Sequence, residues 1–401
     1  MTGDDGVDII SSLPDEILQL IFSFIPTKFA VRTSVLSKRW RHVWSYTPSL
    51  SIDCHSADAN SINKTLANYL APKIMSFHLC VSSKAHQIDS LIDFARSRNM
   101  EKLSLEFLSY ELFFYLHIRL LLVDSETTDI LSWKSLRNLS LSSCKLSDTS
   151  LAQILSCSPL LESLTLHHCH KLKRLDLTKS LRLKRLNIDN PGLKQTVAPN
   201  IHFLRLKHSK IQCGLVDVSS LTEAYFNIYR SSDFLFYNCT GTNLIEEIVP
   251  KILEKFQNVK KLTFGALILE FLIYLLLDFI SCYNVIDVPF PTVKVEGLTL
   301  ETMIVPSVIP GIAKLLRNSP GVKTLKLNIV DRNLLPDSHI KGYLNLQGRD
   351  PAQCLKPKDL VFPTSFEPKL MTSFMEFLIE STGYNGLYGW EVTAIQLGSN
   401  Y

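Results

Sequence analysis

The residues in this 401-residue chain best suited to chemistry are its nine cysteines and a cluster, HHCH, at His167, His168, Cys169 and His170. Imidazole and thiolate are common zinc ligands, but a tetrahedral site gathers them from pairs set apart along the chain. Here four neighbours stand side by side at the end of a stretch that alternates apolar and polar residues, and no second Cys or His pair lies at ligand spacing. No metal and no other cofactor is expected. The cysteines are odd in number and lack paired spacing, which suits reduced thiols in the nucleus or cytoplasm. The chain has no phosphate-cradling glycine loop, dinucleotide fingerprint, GxSxG elbow or HExxH helix, so it is expected to be non-catalytic.

A second chemical candidate is LSKRWRHVWSYTPSL, residues 36–50, where two tryptophans lie among basic side chains. Aromatic and cationic residues together can bind nucleic acid by stacking and charge. In a helix opened by Ser37, however, Trp40, Val43 and Trp44 recur at steps of three and four residues and share a face. Lys38, Arg39, Arg41 and His42 fall on its flanks. Rings directed at a core or a partner are not free to stack on bases, so this pattern predicts a protein partner and a solvated basic flank.

Bulk properties point the same way. With 42 basic and 38 acidic residues the net charge is only +4, so no whole-surface field draws nucleic acid or anionic membrane. The opening MTGDDGVD is acidic where a secretory signal would be basic. Two apolar runs, residues 112–123 and 264–277, are interrupted by His117 and Arg119 and by Glu270. Both fall short of the roughly 20 apolar residues of a spanning helix and read as buried elements.

The elements that position these residues follow from a recurring phrase. MEKLSLEFL at Met100 returns as LRNLSLSSC at Leu136, LESLTLHHC at Leu161, LKRLNIDNP at Leu183 and IHFLRLKHS at Ile201. It returns again as VKKLTFGAL at Val259, VEGLTLETM at Val295 and VKTLKLNIV at Val322. Pairs such as Leu139 and Leu141 point one way, whereas Ser, Thr, Asn, Lys and Arg between them point the other. Each phrase is therefore a strand with one buried and one wet face. Leu139, Leu164, Leu186 and Leu204 are separated by 25, 22 and 18 residues. Between strands, residues 86–99, 148–159, 243–258 and 309–320 carry helical spacing, with Asp148 where an N-cap belongs and Pro159 and Pro320 as terminators. Strand and returning helix, repeated, predict an α/β solenoid with a parallel sheet on its concave face.

LRNLSLSSCKL and LESLTLHHCHKL resemble leucine-rich repeats. In that family Asn or Cys follows the strand, which implies a structural role for Cys144 and Cys169.

The amino-terminal residues SSLPDEILQLIFSFIPTKFAVRTSVLSKRWRHVW read as three short helices, with Pro14 in the first turn and Asp15 and Glu16 at its positive end. Ile17, Leu18, Leu20, Ile21, Phe22, Phe24 and Ile25 cover more than one stripe of a helix. A module of about 40 residues is too small to hide both stripes, so a second surface must cover the excess. This stretch resembles the F-box motif of plant F-box/leucine-rich-repeat proteins.

The resemblance implies a substrate-recruiting subunit of a Skp–cullin–F-box ubiquitin ligase. Its F-box would bind a Skp-type adaptor and, through it, cullin and a RING subunit. The remaining chain would bind an unknown target protein. By position, Leu13, Pro14, Ile17, Leu18, Ile21, Phe22, Val35, Leu36, Ser37 and Trp40 would form the adaptor contact. Ile17, Phe24, Val31, Leu36 and Trp44 could instead hold the helices together. Phe29 departs from the family, which often has a polar residue there, and could bury an extra ring. On alternation, Ser140, Thr165, Arg205, Lys207, Thr299 and Lys326 are wet strand positions open to a target. The expected organisation is an F-box over residues 8–48, an irregular solenoid over 49–330 and a divergent region over 331–401. A scaffold, or a ligand-binding repeat protein that does not direct ubiquitylation, is the alternative.

Overall fold

A computed structural model describes residues 9–54, 59–81, 88–107, 133–169, 171–190, 192–207, 214–227, 251–265, 292–302, 315, 319 and 321–329. They fall into two compact units, one within residues 1–173 and 179–183, the other within 174–178 and 184–401. The apolar run at 112–123, most of that at 264–277, most of the helix expected at 309–320 and the region 331–401 lie outside the described residues. No helix among the described residues is long and apolar enough to cross a membrane.

The first unit opens with helices α1 (Ile9–Ser12), α2 (Asp15–Phe22), α3 (Thr27–Arg32) and α4 (Trp40–Val43). Tight helical turns at Thr33–Val35 and Trp44–Tyr46 follow α3 and α4. Pro14 stands one residue before α2 in an extended conformation, so the amide it lacks is one the helix does not need. Asp15 and Glu16 then fill the first turn, where the helix dipole favours negative charge. Pro26 precedes α3 in the same way. Ser37 Oγ accepts from the Trp40 amide at 3.3 Å, the capping bond its type predicts.

Five parallel strands follow, in chain order across the sheet: β1 (Ser49–Asp53), β2 (Ser76–Val81), β3 (Lys102–Phe107), β4 (Asn138–Ser142) and β5 (Ser163–His167). Phe77, Leu103, Leu139 and Leu164 are successive partners in register, as are Leu79, Leu105, Leu141 and Leu166. All eight are buried. Helices α5 (Ala59–Ala67), α6 (Ile88–Ser97) and α7 (Asp148–Cys157) return the chain between strands. At α7 the cap is Ser147, whose hydroxyl accepts from the Ser150 amide, and not Asp148. The Asp148 carboxylate instead accepts from the Lys173 amide at 2.8 Å, tying α7 to the turn after β5.

The amino-terminal helices are fastened to this sheet. The Ser51 amide of β1 donates to the buried Thr27 hydroxyl of α3 at 2.8 Å. Leu70 and Ala71 amides both donate to the Ser45 carbonyl, and the Tyr69 hydroxyl donates to the Thr47 carbonyl at 2.6 Å. The helical module thus shares a unit with the first repeats.

The second unit departs from the expected strand-and-helix alternation. Its larger parallel sheet runs β7 (Arg185–Asp189), β9 (Phe203–Lys207), β11 (Glu223–Asn227), β12 (Lys261–Phe264), β13 (Gly297–Thr302) and β14 (Thr324–Ile329). The return paths around its first strands are themselves strands, β6 (Arg174–Asp176), β8 (Gln195–Val197) and β10 (Gly214–Asp217), which pair in parallel as a second sheet. Repeat length explains the substitution. Only eighteen residues separate Leu186 from Leu204, too few for a strand, two turns and a helix as long as α7. A three-residue strand fits, and its backbone groups pair with the next repeat, as in the 2.8 Å bonds Leu177 N–H to Val197 O and Ala198 N–H to Asp217 O. Strand β11 escaped the sequence phrase because Ala224 occupies the leucine position between Leu204 and Leu262.

Leu164→Ala and Leu204→Ala, each removing a fully buried side chain, are expected to cost about 2–5 kcal/mol. Thr299→Ala, on the wet face, is expected to stay within about 0.5 kcal/mol. Urea denaturation followed by circular dichroism checks both.

Candidate functional site

The amino-terminal helices divide their apolar residues between two surfaces. On α2, Leu18 and Phe22 lie one turn apart and point inward; Leu18 is 0% exposed. The Phe22 ring meets the Trp40 ring of α4 at 5.4 Å between centroids, tilted by 56°. Val43 and Trp44 complete this core. With it filled, the other stripe of α2 and the turn beyond it stay outside: Ile17 is 43% exposed, Leu20 and Ile21 are similarly open, and Phe24 is 80% exposed. Val35 and Leu36, between α3 and α4, are 86% and 67% exposed.

Of the ten residues assigned to the adaptor contact, Pro14, Ile17, Ile21, Val35, Leu36 and Ser37 lie at the surface and Leu13 is half-buried. Leu18, Phe22 and Trp40 form the core beneath it. Leu20 and Phe24 were absent from that set although they belong to the same open stripe. Their spacing from Ile17 and Ile21, at three- and four-residue steps, was the signal available. Trp44 holds the helices together as its type allowed, but Ile17, Phe24 and Leu36 do not. Phe29 is not an extra buried ring: it is half exposed, with the Arg32 guanidinium 5.6 Å above it.

Arg39 corrects the expectation of a uniformly solvated basic flank. Lys38, Arg41 and His42 are exposed, whereas Arg39 is half-buried. Its Nε donates to Asp15 Oδ1 at 2.7 Å and its Nη2 donates to the Leu13 carbonyl. The side chain clamps the approach to α4 onto the start of α2 and fixes the Leu13–Pro14 turn. An arginine can do this because its planar fork serves a carboxylate and a carbonyl together.

The expected target positions fall in both units. Ser140 and Thr165 are neighbours in register on the wet side of the first unit. Arg205, Lys207, Thr299 and Lys326 lie on the wet side of the second, where Thr299 and Lys326 are partners. All six are half-buried or exposed.

The HHCH cluster divides its side chains: the His167 and His168 rings stay together, while Cys169 turns away from them. His168 takes a left-handed conformation, φ 50°, and its ring stands edge-on to that of His167, with centroids 4.4 Å apart. Cys169 turns inward, 3.5 Å from Cys144 Sγ, and its thiol reaches the Leu141 carbonyl at 3.6 Å. The hydrogen bond with Cys144, joined by burial, raises the Cys169 pKa well above its ordinary value. Cys54 and Cys80, on and beside adjoining strands, are both pushed up to about 11, chiefly by burial and further by nearby carboxylates. These three thiols are held in the protonated, weakly nucleophilic form.

Two measurements follow. Phe22→Ala is expected to cost about 3–5 kcal/mol in urea denaturation, against less than about 0.5 kcal/mol for Phe24→Ala. Near neutral pH, iodoacetamide is expected to alkylate Cys54 and Cys80 roughly 100-fold more slowly than an unperturbed thiol, and faster as pH rises towards 11, read by mass spectrometry.

Comparison with known proteins places both parts of this geometry. The F-box domain family matches residues 10–51, and the family described as FBD-associated F-box protein At5g56370, LRR repeats, matches residues 80–223. F-box/LRR-repeat protein At5g02910 of Arabidopsis thaliana is 47% identical over 415 residues, covering 95% of this chain and 88% of its own. Putative F-box/LRR-repeat protein At5g02930, from the same plant, is 43% identical over 427 residues, covering 99% and 88%. Among solved structures, a Bacteroides fragilis protein superposes with a TM-score of 0.30 and 12% identity over 65% of each chain, a likeness that carries no argument. With relatives this similar over nearly the full length of both chains, the chain belongs to the F-box/leucine-rich-repeat family.

Proposed function

We propose that this protein is a substrate-recruiting subunit of a Skp–cullin–F-box ubiquitin ligase, working in the nucleus or cytoplasm. The F-box holds a Skp-type adaptor, which connects it to cullin and a RING subunit. The repeats hold the target. The observation that carries this reading is the open stripe of Ile17, Leu20, Ile21 and Phe24 with Val35 and Leu36, beside a core that is already full.

Contiguous exposed apolar side chains of this size mark an interaction surface. Ile17, Ile21, Val35 and Leu36 make the adaptor contact directly, joined by Leu20 and Phe24. Leu13, Pro14 and Ser37 lie at its rim. Leu18, Phe22 and Trp40 act from beneath, keeping α2 and α4 at the angle that presents the stripe. The chain supplies no reacting group in this scheme. Its contribution is proximity, raising the local concentration of target lysines near a ubiquitin-loaded enzyme.

Fully burying one large apolar side chain is worth about 1.5–3 kcal/mol, and each 1.4 kcal/mol is about tenfold in affinity. Phe24→Asp combined with Leu36→Asp is therefore expected to weaken binding to purified Skp-type adaptor at least about 100-fold, measured by calorimetry, with an unchanged melting temperature. Unaltered affinity in that folded variant would remove the basis of the reading. A reconstituted ligase is expected to ubiquitylate a co-purifying protein with this chain present and not without it, which separates a recruiter from a scaffold.

A further inference from the structure

The wet faces of the two units differ in chemistry. In the first, the middle positions of β1 to β5 are Ser51, His78, Ser104, Ser140 and Thr165, small and mostly uncharged. Its charged wet positions are Lys102, Asp53 and Glu106, nearly balanced. In the second, Arg185, Arg205, Lys207, Lys261 and Lys326 occupy wet strand positions. Against them stand Glu223, Glu301 and the buried Asp189.

Two of these cations are held in place. The Arg185 guanidinium lies over the Phe203 ring of the next strand at 4.5 Å, and the Arg205 guanidinium lies over the Tyr225 ring of the strand after that at 4.3 Å. Neither forms an ion pair with a carboxylate among the described residues. A guanidinium held over a ring keeps its charge and does not use its N–H groups on a carboxylate, so they are available for a two-pronged bond to one. The second platform is itself braced. The Tyr225 hydroxyl donates to Glu301 Oε2 at 2.7 Å, reaching from β11 across to β13. It crosses β12 where Gly265 follows the strand, and a Cβ at Gly265 would lie 2.1 Å from Asn227 Cγ, so only glycine lets Asn227 settle there beside Tyr225.

We infer that the target is gripped on the β7–β9–β11 part of the second unit's sheet, and that the gripped element is an acidic segment of the target polypeptide whose carboxylates bond to the edges of Arg185 and Arg205. Lys207 supplies further attraction. Charge complementarity selects this occupant over an apolar or basic one, and the aromatic platforms reduce the ordering cost that free arginine side chains would carry. The inference rests on the recruiting function proposed above and narrows it to one surface and one ligand chemistry.

The test is selection of a random peptide library on the immobilised full-length chain. Peptides enriched in Asp and Glu about threefold or more over Lys and Arg are expected. The binding of a synthesised enriched peptide is expected to fall at least about tenfold in Arg205→Glu with Lys207→Glu, and several-fold in Arg205→Lys, which keeps the charge but loses the planar stack. Lys102→Glu, a charge reversal on the first unit's wet strand positions, is expected to change nothing. Should the charge reversal fail to fold by circular dichroism, Arg205→Gln and the loss of peptide affinity with added salt decide the matter. Selection without acidic bias, salt-independent binding, or acidic binding indifferent to Arg205 overturns the inference. Adaptor affinity is measured on the same preparations. Its loss with peptide binding intact strikes the recruiting function alone, and the reverse outcome strikes this inference alone.

Discussion

Everything in this protein depends on a conflict of area in the four amino-terminal helices. Leu18, Phe22, Trp40, Val43 and Trp44 close a small core, and the edge-tilted contact of Phe22 with Trp40 sets how α2 meets α4. A second apolar stripe on α2 has nothing left to pack against. The Arg39 clamp to Asp15 and the Leu13 carbonyl keeps the stripe from collapsing by fixing both helix starts. In the proposed function this surface, a liability in a solitary module, is what the adaptor covers.

The repeats solve the opposite problem. Their inward apolar residues, mostly leucines, pair strand to strand in register, so each repeat buries the inner face of its neighbour and no repeat needs a core of its own. Because the inner rows carry the packing, the outer rows are free to vary. The two units have used that freedom differently, with hydroxyls on one and stacked arginines on the other. Cys144 and Cys169, which look reactive in isolation, are absorbed into the inner packing, where the contact with Cys144 and burial suppress the Cys169 thiolate.

Coupling between helices and repeats runs through backbone groups. Thr27 to Ser51, Ser45 to Leu70 and Ala71, and Thr47 to Tyr69 fasten the helical module to the first strands. These bonds are buried or nearly so, where breaking one leaves an unsatisfied polar group at a cost of about 1–3 kcal/mol. The module therefore belongs to the same compact unit as β1 to β5, and the first unit ends at residue 183, inside the repeats, and not at the end of the F-box resemblance.

The sequence by itself determined the strands that carry the leucine phrase, their inward leucines, the parallel repeat architecture and the surplus apolar stripe, because alternation and helical spacing are local signals. It also determined that Ser37 caps and that prolines precede helices, within one residue. Three things were decided only in the folded chain. Which of Ile17 and Leu18, or Phe22 and Phe24, faces inward depends on where Trp40 arrives, a contact eighteen residues distant from Phe22. Whether a return path is helix or strand depends on pairing with the next repeat, as for β6, β8 and β10, whose three or four residues carry no period of their own. The stacking of Arg185 on Phe203 and Arg205 on Tyr225 needs the register of three separate strands. Local patterns report the exposure a residue prefers, whereas partners distant in sequence settle which residues obtain it.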